Sequence, residues 1–403
     1  MFGSEPFEVG PRGRRRTQRT RLREDSESML RSWKNSTARQ MCAMQLEHFI
    51  LESLHVAPLA VPLQTLFVIA SARVDVTANV LVRARIRDQR TDQCAGGLGE
   101  AATLWPVTHE TQADVLEVLG ALAHKLPLAR GDLQFEALPP CARAGLDMAT
   151  CDALGHLQQR PLYRLLNPLA TPRVLTTDVT IAIAEPAEMA RQALAWFARG
   201  FTCFKVKVGR DLAQDLRALG EIAQAVPTCT LRVDANGGYD VTAALHFCAA
   251  AARQKLPVAC LEQPCATDDL AAMAAVTREA PFDVIADESC KSLADLTQLV
   301  DLQACNGINL KLVKSGSLAN AYALGERARA HGLSLMVGAM VETRLGITAA
   351  AHLVTALGGV EYPDLDTAFL LREDPFVGGY VATGPTLQLS DAAGLGVDVA
   401  TRR

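Results

Sequence analysis

The chain has 403 residues, of which 49% are hydrophobic and 21% charged, and its net charge is −4. This composition is typical of a globular enzyme with room for one large barrel domain and a smaller one. The charge excludes a generally basic nucleic-acid binder, and the absence of a long apolar run excludes a transmembrane helix. The eleven cysteines form no CxxC motif, which favours reduced thiols. We therefore expect a cytoplasmic protein that binds neither nucleic acid nor membranes, and a homo-oligomer is compatible with this composition.

Residues 1–43 differ in composition from the rest of the chain. They contain seven arginines within twelve positions, namely Arg12, Arg14, Arg15, Arg16, Arg19, Arg21 and Arg23. The simplest interpretation is a disordered basic extension, or a start codon assigned too early, with the true start near Met41 or Met44. A tail that binds nucleic acid or an anionic surface is the alternative.

Residues 44–165 have the pattern of an α+β capping domain. Residues 79–86 alternate with period two, and two further strands are predicted at 49–56 and 96–101. Helical spacing follows at 111–126 and 142–157. A proline-containing boundary is expected at 161–172.

From residue 166 to 370, short apolar runs alternate with helical stretches rich in Ala and Leu. The predicted strands lie at 174–183, 203–208, 231–235, 258–261, 284–286, 308–312 and 334–337. Helices are predicted at 186–197, 241–253 and 317–331. This regular alternation predicts an α/β fold with a parallel βα barrel. The tail, 371–403, contains short β-like pieces that could return to the cap.

Polar side chains recur near the ends of these apolar runs at intervals of 24 to 29 residues. The series is Thr180, Lys207, Asp234, Glu262, Asp287, Lys311, Met340 and Asp364. One βα unit takes roughly 25 to 30 residues. The side chains should therefore lie at the same end of successive strands, where a barrel forms a single cup.

Three carboxylates in this series suggest a metal site. Asp234, Glu262 and Asp287 follow consecutive predicted strands, and converging carboxylates repel one another unless a cation is present. An all-oxygen site favours a hard ion such as Mg²⁺. The alternative is that each is an ordinary loop acid.

Three lysines suggest proton transfer. Lys205 and Lys207 alternate on one strand and share a face, and Lys311 lies across the barrel. Two lysines on opposite walls could remove a proton from one face of a carbon and return it to the other. Burial and nearby positive charge are expected to lower their pKa values, and the metal would stabilise the enolate.

The motifs Lys-Val-Lys, Asp-Ala-Asn, Glu-Gln-Pro, Ala-Asp-Glu-Ser and Asn-Leu-Lys-Leu-Val-Lys resemble those of the enolase superfamily, muconate lactonising enzyme subgroup. The resemblance implies a (β/α)₇β TIM-like barrel with an α+β cap built from the N-terminal segment and the C-terminal tail. It also implies one Mg²⁺ on Asp234, Glu262 and Asp287, with Lys207 and Lys311 as acid and base. Lys205 would neutralise the substrate carboxylate. The mandelate racemase branch uses a histidine after the seventh strand, where this chain has Gly-Ala-Met-Val-Glu at 338–342.

Asp364 and Asp366 narrow this resemblance. Two carboxylates on one face of the cup call for a cationic substrate group such as an α-ammonium, although a simple turn pair is the alternative. The Asp-x-Asp motif is similar to that of dipeptide epimerases, and this implies that Thr180, Ala339 and Val341 line the substrate site. L-Ala-D/L-Glu, a peptidoglycan peptide, is the commonest substrate of that family. The alternatives are an o-succinylbenzoate synthase or N-succinylamino acid racemase, a muconate cycloisomerase, or a non-enzymatic binding protein.

Two places depart from the family pattern. Lys314-Ser315-Gly316-Ser317 replaces a more usual Gly-Gly, a change expected to leave the chemistry untouched. In the cap loop 67–74, the position of a substrate-binding arginine corresponds to Ala72, with Arg73 one place away. The apolar segment 104–107 would accept an uncharged side chain, so the identity of the second residue stays open.

Overall fold

The structure is a computed structural model that describes residues 48–70 and 72–401. The predicted basic extension lies outside these residues. The described residues of the N-terminal part form six strands and three α-helices: β1 (Phe49–Leu59), β2 (Pro62–Val68), β3 (Arg73–Val76), β4 (Asn79–Asp88), β5 (Cys94–Ala101), α1 (Gln112–Ala123), β6 (Leu128–Ala129), α2 (Pro140–Gln158) and α3 (Leu162–Leu166). An antiparallel sheet has the order β5-β4-β1-β6, and β2 and β3 form a hairpin.

Helix α2 packs directly on strand β5 through glycines. A side chain at Gly97 or Gly99 would collide with the backbone of Ala149 or Gly145 in α2. These backbones therefore approach more closely than ordinary side chains allow. The contact ties the helix and the sheet of the cap into one rigid layer.

The second part alternates strands and helices: β7 (Val174–Thr176), β8 (Val179–Ile181), α4 (Pro186–Phe197), β9 (Cys203–Lys207), α5 (Leu212–Ala225), β10 (Thr230–Asp234), α6 (Val241–Arg253), β11 (Val258–Glu262), α7 (Leu270–Glu279), β12 (Asp283–Ala286), α8 (Leu293–Asp301), β13 (Gly307–Leu310), α9 (Leu312–Ser315), α10 (Leu318–Ala330), β14 (Ser334–Val337), α11 (Arg344–Leu357) and β15 (Tyr362–Pro363). Strands β8 to β15 form one eight-stranded parallel sheet in sequential order. The predicted (β/α)₇β architecture is confirmed.

The single strand predicted at 174–183 is wrong. The chain changes partners at Thr177: β7 pairs with the C-terminal tail, and β8 pairs with β9 in the barrel. The Thr177 amide donates to Pro385 O, and the Thr177 hydroxyl accepts from the Leu365 amide at 2.7 Å. Both groups are satisfied outside any single ladder, which explains why the strand divides there.

The contact between β8 and the β15 end of the sheet, which we call the seam, is made by side chains. The Thr180 amide donates to Asp366 Oδ2 at 2.5 Å. Arg232 Nη1 donates to Asp178 Oδ2 at 2.8 Å and to Pro363 O at 2.6 Å. The position of the residues after β15 therefore depends on polar contacts in addition to backbone pairing.

The C-terminal tail forms four short strands, β16 (Phe376–Gly378), β17 (Tyr380–Thr383), β18 (Thr386–Leu389) and β19 (Val397–Val399). It contacts both parts of the chain, since β18 pairs with β7 and the Arg372 amide donates to Pro62 O. The boundaries 44–165, 166–370 and 371–403 stay predictions. None of the described helices has the length and apolar character needed to cross a membrane.

Candidate active site

The ends of neighbouring barrel strands place lysines and carboxylates side by side. Asp234 lies opposite Lys207 on β9 and opposite Glu262 on β11 in the sheet register. Lys207 Nζ lies 2.6 Å from Asp234 Oδ2, and Lys205 Nζ lies 3.2 Å from the same oxygen. The two lysines therefore share the inward face, as their alternation predicts.

Lys205 connects three carboxylates. Besides Asp234, its ammonium lies 2.7 Å from Glu262 Oε2 and 2.7 Å from Asp364 Oδ2. Burial disfavours its charge, but Asp364, Glu262 and Asp234 outweigh this and raise the pKa of Lys205 well above its usual value. Lys205 is therefore a fixed positive charge at the centre of the site.

Lys311 and Lys314 both bind Asp287. Their ammonium groups lie 2.7 Å and 2.5 Å from its two carboxylate oxygens, and Lys314 also donates to Asn309 O at 2.8 Å. Lys314 belongs to the segment that departs from the family pattern, and it contacts a proposed metal ligand. The expectation that this departure leaves the chemistry untouched stays a prediction. Burial acts to lower the pKa of Lys311, as expected, but Asp287 outweighs burial and the net shift is upward.

The carboxylates differ in their titration. Burial opposes ionisation at Asp234, yet Lys207 and Lys205 lower its pKa to about 2. At Glu262 burial and the charge of Asp234 raise the pKa to about 7. Burial likewise opposes ionisation at Asp287, but Lys311 and Lys314 hold its pKa below its usual value. Glu262 is therefore the carboxylate that would gain most from an additional cation.

Two side-chain amides support this group. Asn309 Nδ2 donates to Glu262 Oε1 at 2.7 Å. Gln263 Oε1 accepts from the Asp287 amide at 3.0 Å and the Ser289 amide at 3.1 Å. Neither residue was predicted to be part of the site, although Gln263 lies in the motif Glu-Gln-Pro and Asn309 in Asn-Leu-Lys-Leu-Val-Lys. Asn309 precedes Lys311 by two positions on the chain. Because side chains two positions apart on a strand point to the same face, this spacing could have predicted that Asn309 points into the site.

The donor set fits a hard divalent cation. Asp234, Glu262 and Asp287 are fully buried, and Glu262 Oε2 accepts no hydrogen bond of good geometry despite its proximity to Lys205. Only carboxylate oxygens are offered, which suits Mg²⁺. In this structure each carboxylate is paired with a lysine, so the three do not form a compact ligand set.

Asp364 and Asp366 follow β15 and face the same space. Together with Asp178 they bring carboxylate oxygens within 4.8 Å of one another. Burial and the charge of Asp364 raise the pKa of Asp366 to about 6. The mutual repulsion of these acids makes the region favourable for a positively charged group.

A pocket lies between the barrel and the cap. From the barrel it is lined by Thr180, Lys205, Lys207, Asn236, Glu288, Lys311, Ala339, Met340, Val341, Asp364, Asp366 and Thr367. The cap residues that line it are Phe67, Ile69, Leu104 and Val107. The structure thus brings the predicted lysines and the Asp364–Asp366 pair to one cavity, and the proposed metal ligands pair with its lysines.

The cap loop beside this pocket is held by the barrel. Arg210 Nη2 donates to Ile69 O at 2.7 Å. Arg73 is exposed on β3, and Ser71 lies outside the described residues. The cap wall of the pocket is therefore apolar in the part of the loop that the structure describes.

A parallel β/α barrel with lysines and carboxylates around one strand-end pocket is typical of enzymes that use acid–base chemistry. The enolase C-terminal domain-like family model matches residues 188–403. The chain belongs to this family, so the predicted membership of the enolase superfamily is confirmed.

Characterised relatives extend over most of the chain. An aromatic dipeptide epimerase of Herpetosiphon aurantiacus is 39% identical over 360 residues, covering 87% of this chain and 99% of the relative. The substrate-liganded L-Ala-D/L-Glu epimerase of Bacillus subtilis is 29% identical with a TM-score of 0.81, covering 87% of this chain and 99% of that structure. A dipeptide epimerase of Enterococcus faecalis, complexed with Mg and L-Leu-L-Tyr, is 30% identical with a TM-score of 0.78, covering 86% and 99%.

Proposed function

We propose that this protein is a Mg²⁺-dependent dipeptide epimerase that inverts the Cα of the C-terminal residue. The observation that carries the proposal is the placement of the Asp364–Asp366 pair in the same pocket as Lys207 and Lys311. The pair suits the α-ammonium of a dipeptide, and the lysines suit proton transfer at the neighbouring residue. The dipeptide epimerases among its relatives support this assignment.

In this proposal Lys207 and Lys311 approach the substrate Cα from opposite sides. Lys207 is the last residue of the second barrel strand and Lys311 follows the sixth, with three strands between them. One lysine removes the proton and the other delivers a proton to the opposite face. Their roles exchange in the reverse direction.

The remaining charged groups hold the substrate and its developing charge. Asp234, Glu262 and Asp287 would hold Mg²⁺, which when bound supplies electrostatic stabilisation of the negative charge on the substrate carboxylate. Lys205, kept cationic by its carboxylate neighbours, would add a second positive charge there. Thr180, Ala339 and Val341 would line the peptide, the last two through backbone groups.

We also propose which side chain the enzyme accepts on the C-terminal residue of its dipeptide substrate. Phe67, Ile69, Leu104 and Val107 line the cap side of the pocket, and Arg73 is not among the lining residues. Arg73 is exposed to solvent. An apolar wall cannot compensate the desolvation of a carboxylate. We therefore assign hydrophobic and aromatic C-terminal residues as preferred substrates, which makes a role with the Ala-Glu peptide of peptidoglycan less favoured.

The alternative substrates lack a free α-ammonium. In N-succinylamino acids the α-amino group is acylated, and the substrates of o-succinylbenzoate synthase and muconate cycloisomerase have no amino group, so none offers an α-ammonium to Asp364 and Asp366. A cytoplasmic location belongs to the proposal as well, supported by thiols of the described residues that form no disulfide, such as Cys229, Cys248 and Cys260.

The proposal is tested by deuterium exchange. We expect the protein with Mg²⁺ in D₂O to incorporate deuterium at the C-terminal Cα of dipeptides and to interconvert the two epimers, measured by mass spectrometry and chiral chromatography. Turnover of an N-succinylamino acid without exchange on any dipeptide would reject it.

A matched pair of substrates tests the apolar wall. We expect kcat/KM for L-Ala-L-Phe to exceed that for L-Ala-L-Glu by about 100-fold, since an unpaired carboxylate costs roughly 3 kcal/mol in such a pocket. The variant Leu104→Arg should narrow this ratio by supplying a cation. Equal activity on both peptides in the wild type would show that the cap does not select against charge.

A further inference from the structure

We propose that Asp178 and Arg232 are positioning residues for the amino-group site formed by Asp364 and Asp366. This inference rests on the proposed function. Neither residue is among those that line the pocket, and both are buried. They act through the seam between the first and last barrel strands.

Arg232 fixes the backbone beside Asp364 by hydrogen bonding. Its Nη1 donates to Asp178 Oδ2 at 2.8 Å and to Pro363 O at 2.6 Å. Pro363 directly precedes Asp364. A guanidinium fixed on one side by Asp178 therefore sets where the Asp364 carboxylate enters the pocket.

The second step is the arrangement of acceptors. The carboxylate oxygens of Asp178, Asp364 and Asp366 lie within 4.8 Å of one another. Asp178 Oδ1 and Asp366 Oδ1 are buried and have no hydrogen-bond partner among the described residues. Such acceptors are costly when unpaired. An ammonium beside Asp366, which lines the pocket, would donate to that residue and offset the negative charge that Asp178 adds to the group.

The third step is charge. Asp364 pairs with Lys205, and Asp178 pairs with Arg232. Asp366 forms no ion pair with any of the described residues and accepts from the Thr180 amide at 2.5 Å. Burial and the charge of Asp364 raise the pKa values of both Asp178 and Asp366. One more cation would reduce this repulsion, so Asp178 favours a charged amino group over a neutral group of the same shape.

The test compares binding with and without the ammonium. A dipeptide and its desamino analogue, the propionyl-amino acid, differ only in that group. For Asp178→Asn we expect the dipeptide KM to rise about 10-fold while kcat changes less than about threefold and the inhibition constant of the analogue is unchanged. Arg232→Lys, which keeps the charge but loses the planar fork, should also raise the dipeptide KM.

The control is Asp152→Asn, which removes another buried carboxylate. Asp152 accepts from the Leu98 and Leu395 amides and is not among the residues that line the pocket. This variant should lower Tm without changing the ratio of the dipeptide KM to the inhibition constant of the desamino analogue. Equal changes for dipeptide and analogue in Asp178→Asn, or no change, would overturn the inference. Failure of the wild type to exchange deuterium on any dipeptide would instead reject the proposed function.

Discussion

Replacing either proposed acid/base lysine by arginine should abolish epimerisation. Arginine keeps the positive charge beside Asp234 or Asp287 but does not lose a proton in proteins. We expect kcat to fall by about 10²- to 10⁴-fold in Lys207→Arg and in Lys311→Arg, the usual contribution of a positioned acid or base. The fall is measured by chiral chromatography with saturating Mg²⁺.

The two variants should differ in deuterium exchange. With two bases on opposite faces, each variant retains one functional lysine and should exchange the Cα proton of one epimer without inverting it. The epimer whose Cα proton still exchanges in Lys207→Arg should be the opposite of the one that exchanges in Lys311→Arg. Loss of exchange with both epimers in both variants would contradict the two-base arrangement, and Lys255→Arg, at an exposed position, serves as the control.

Removing one proposed metal ligand should have the second large effect. Glu262→Gln takes away a buried carboxylate that Asn309 orients and Lys205 contacts. We expect Mg²⁺ affinity measured by calorimetry to fall about 10-fold or more, as a lost ligand or its support typically causes. Loss of several kcal/mol of charge stabilisation would reduce kcat/KM by roughly 10³-fold.

The matched control is Glu110→Gln. Glu110 is also buried and accepts from the Cys141 and Ala142 amides at the start of α2. Its loss should lower Tm and leave Mg²⁺ affinity unchanged. Removing Mg²⁺ from the wild-type protein with a chelator should lower kcat/KM as Glu262→Gln does, and adding Mg²⁺ back should restore it. Full activity after chelation would exclude a metal requirement.

The regular spacing of the barrel strands explains which parts of the site could be predicted from the sequence. Lys207, Asp234 and Glu262 were located correctly on the barrel because buried parallel strands fix which residues follow them. The helices 186–197 and 241–253 match α4 and α6, since their apolar periodicity and their ends are marked in the sequence.

What could not be predicted depends on contacts between distant segments. Arg232 lies two positions before Asp234 on the same strand, so alternation predicts that both point inward. Its contacts with Asp178, which precedes β8, and with Pro363 on β15 join segments far apart in the sequence and could not be predicted. The reach of Lys314 to Asp287 depends on the turn of α9. The division of 174–183 followed from the tail, which pairs with β7 from more than two hundred residues away.

The glycine contact between β5 and α2 has a consequence for how specificity can change. Leu104 and Val107 extend from the end of β5, a strand whose backbone is in direct contact with its supporting helix. The main chain there has little freedom to shift, so a new substrate preference would arise by exchanging side chains on a constant scaffold. For enzyme engineering, Leu104 and Val107 are therefore positions to randomise together, with Gly97, Gly99 and Gly145 left unchanged.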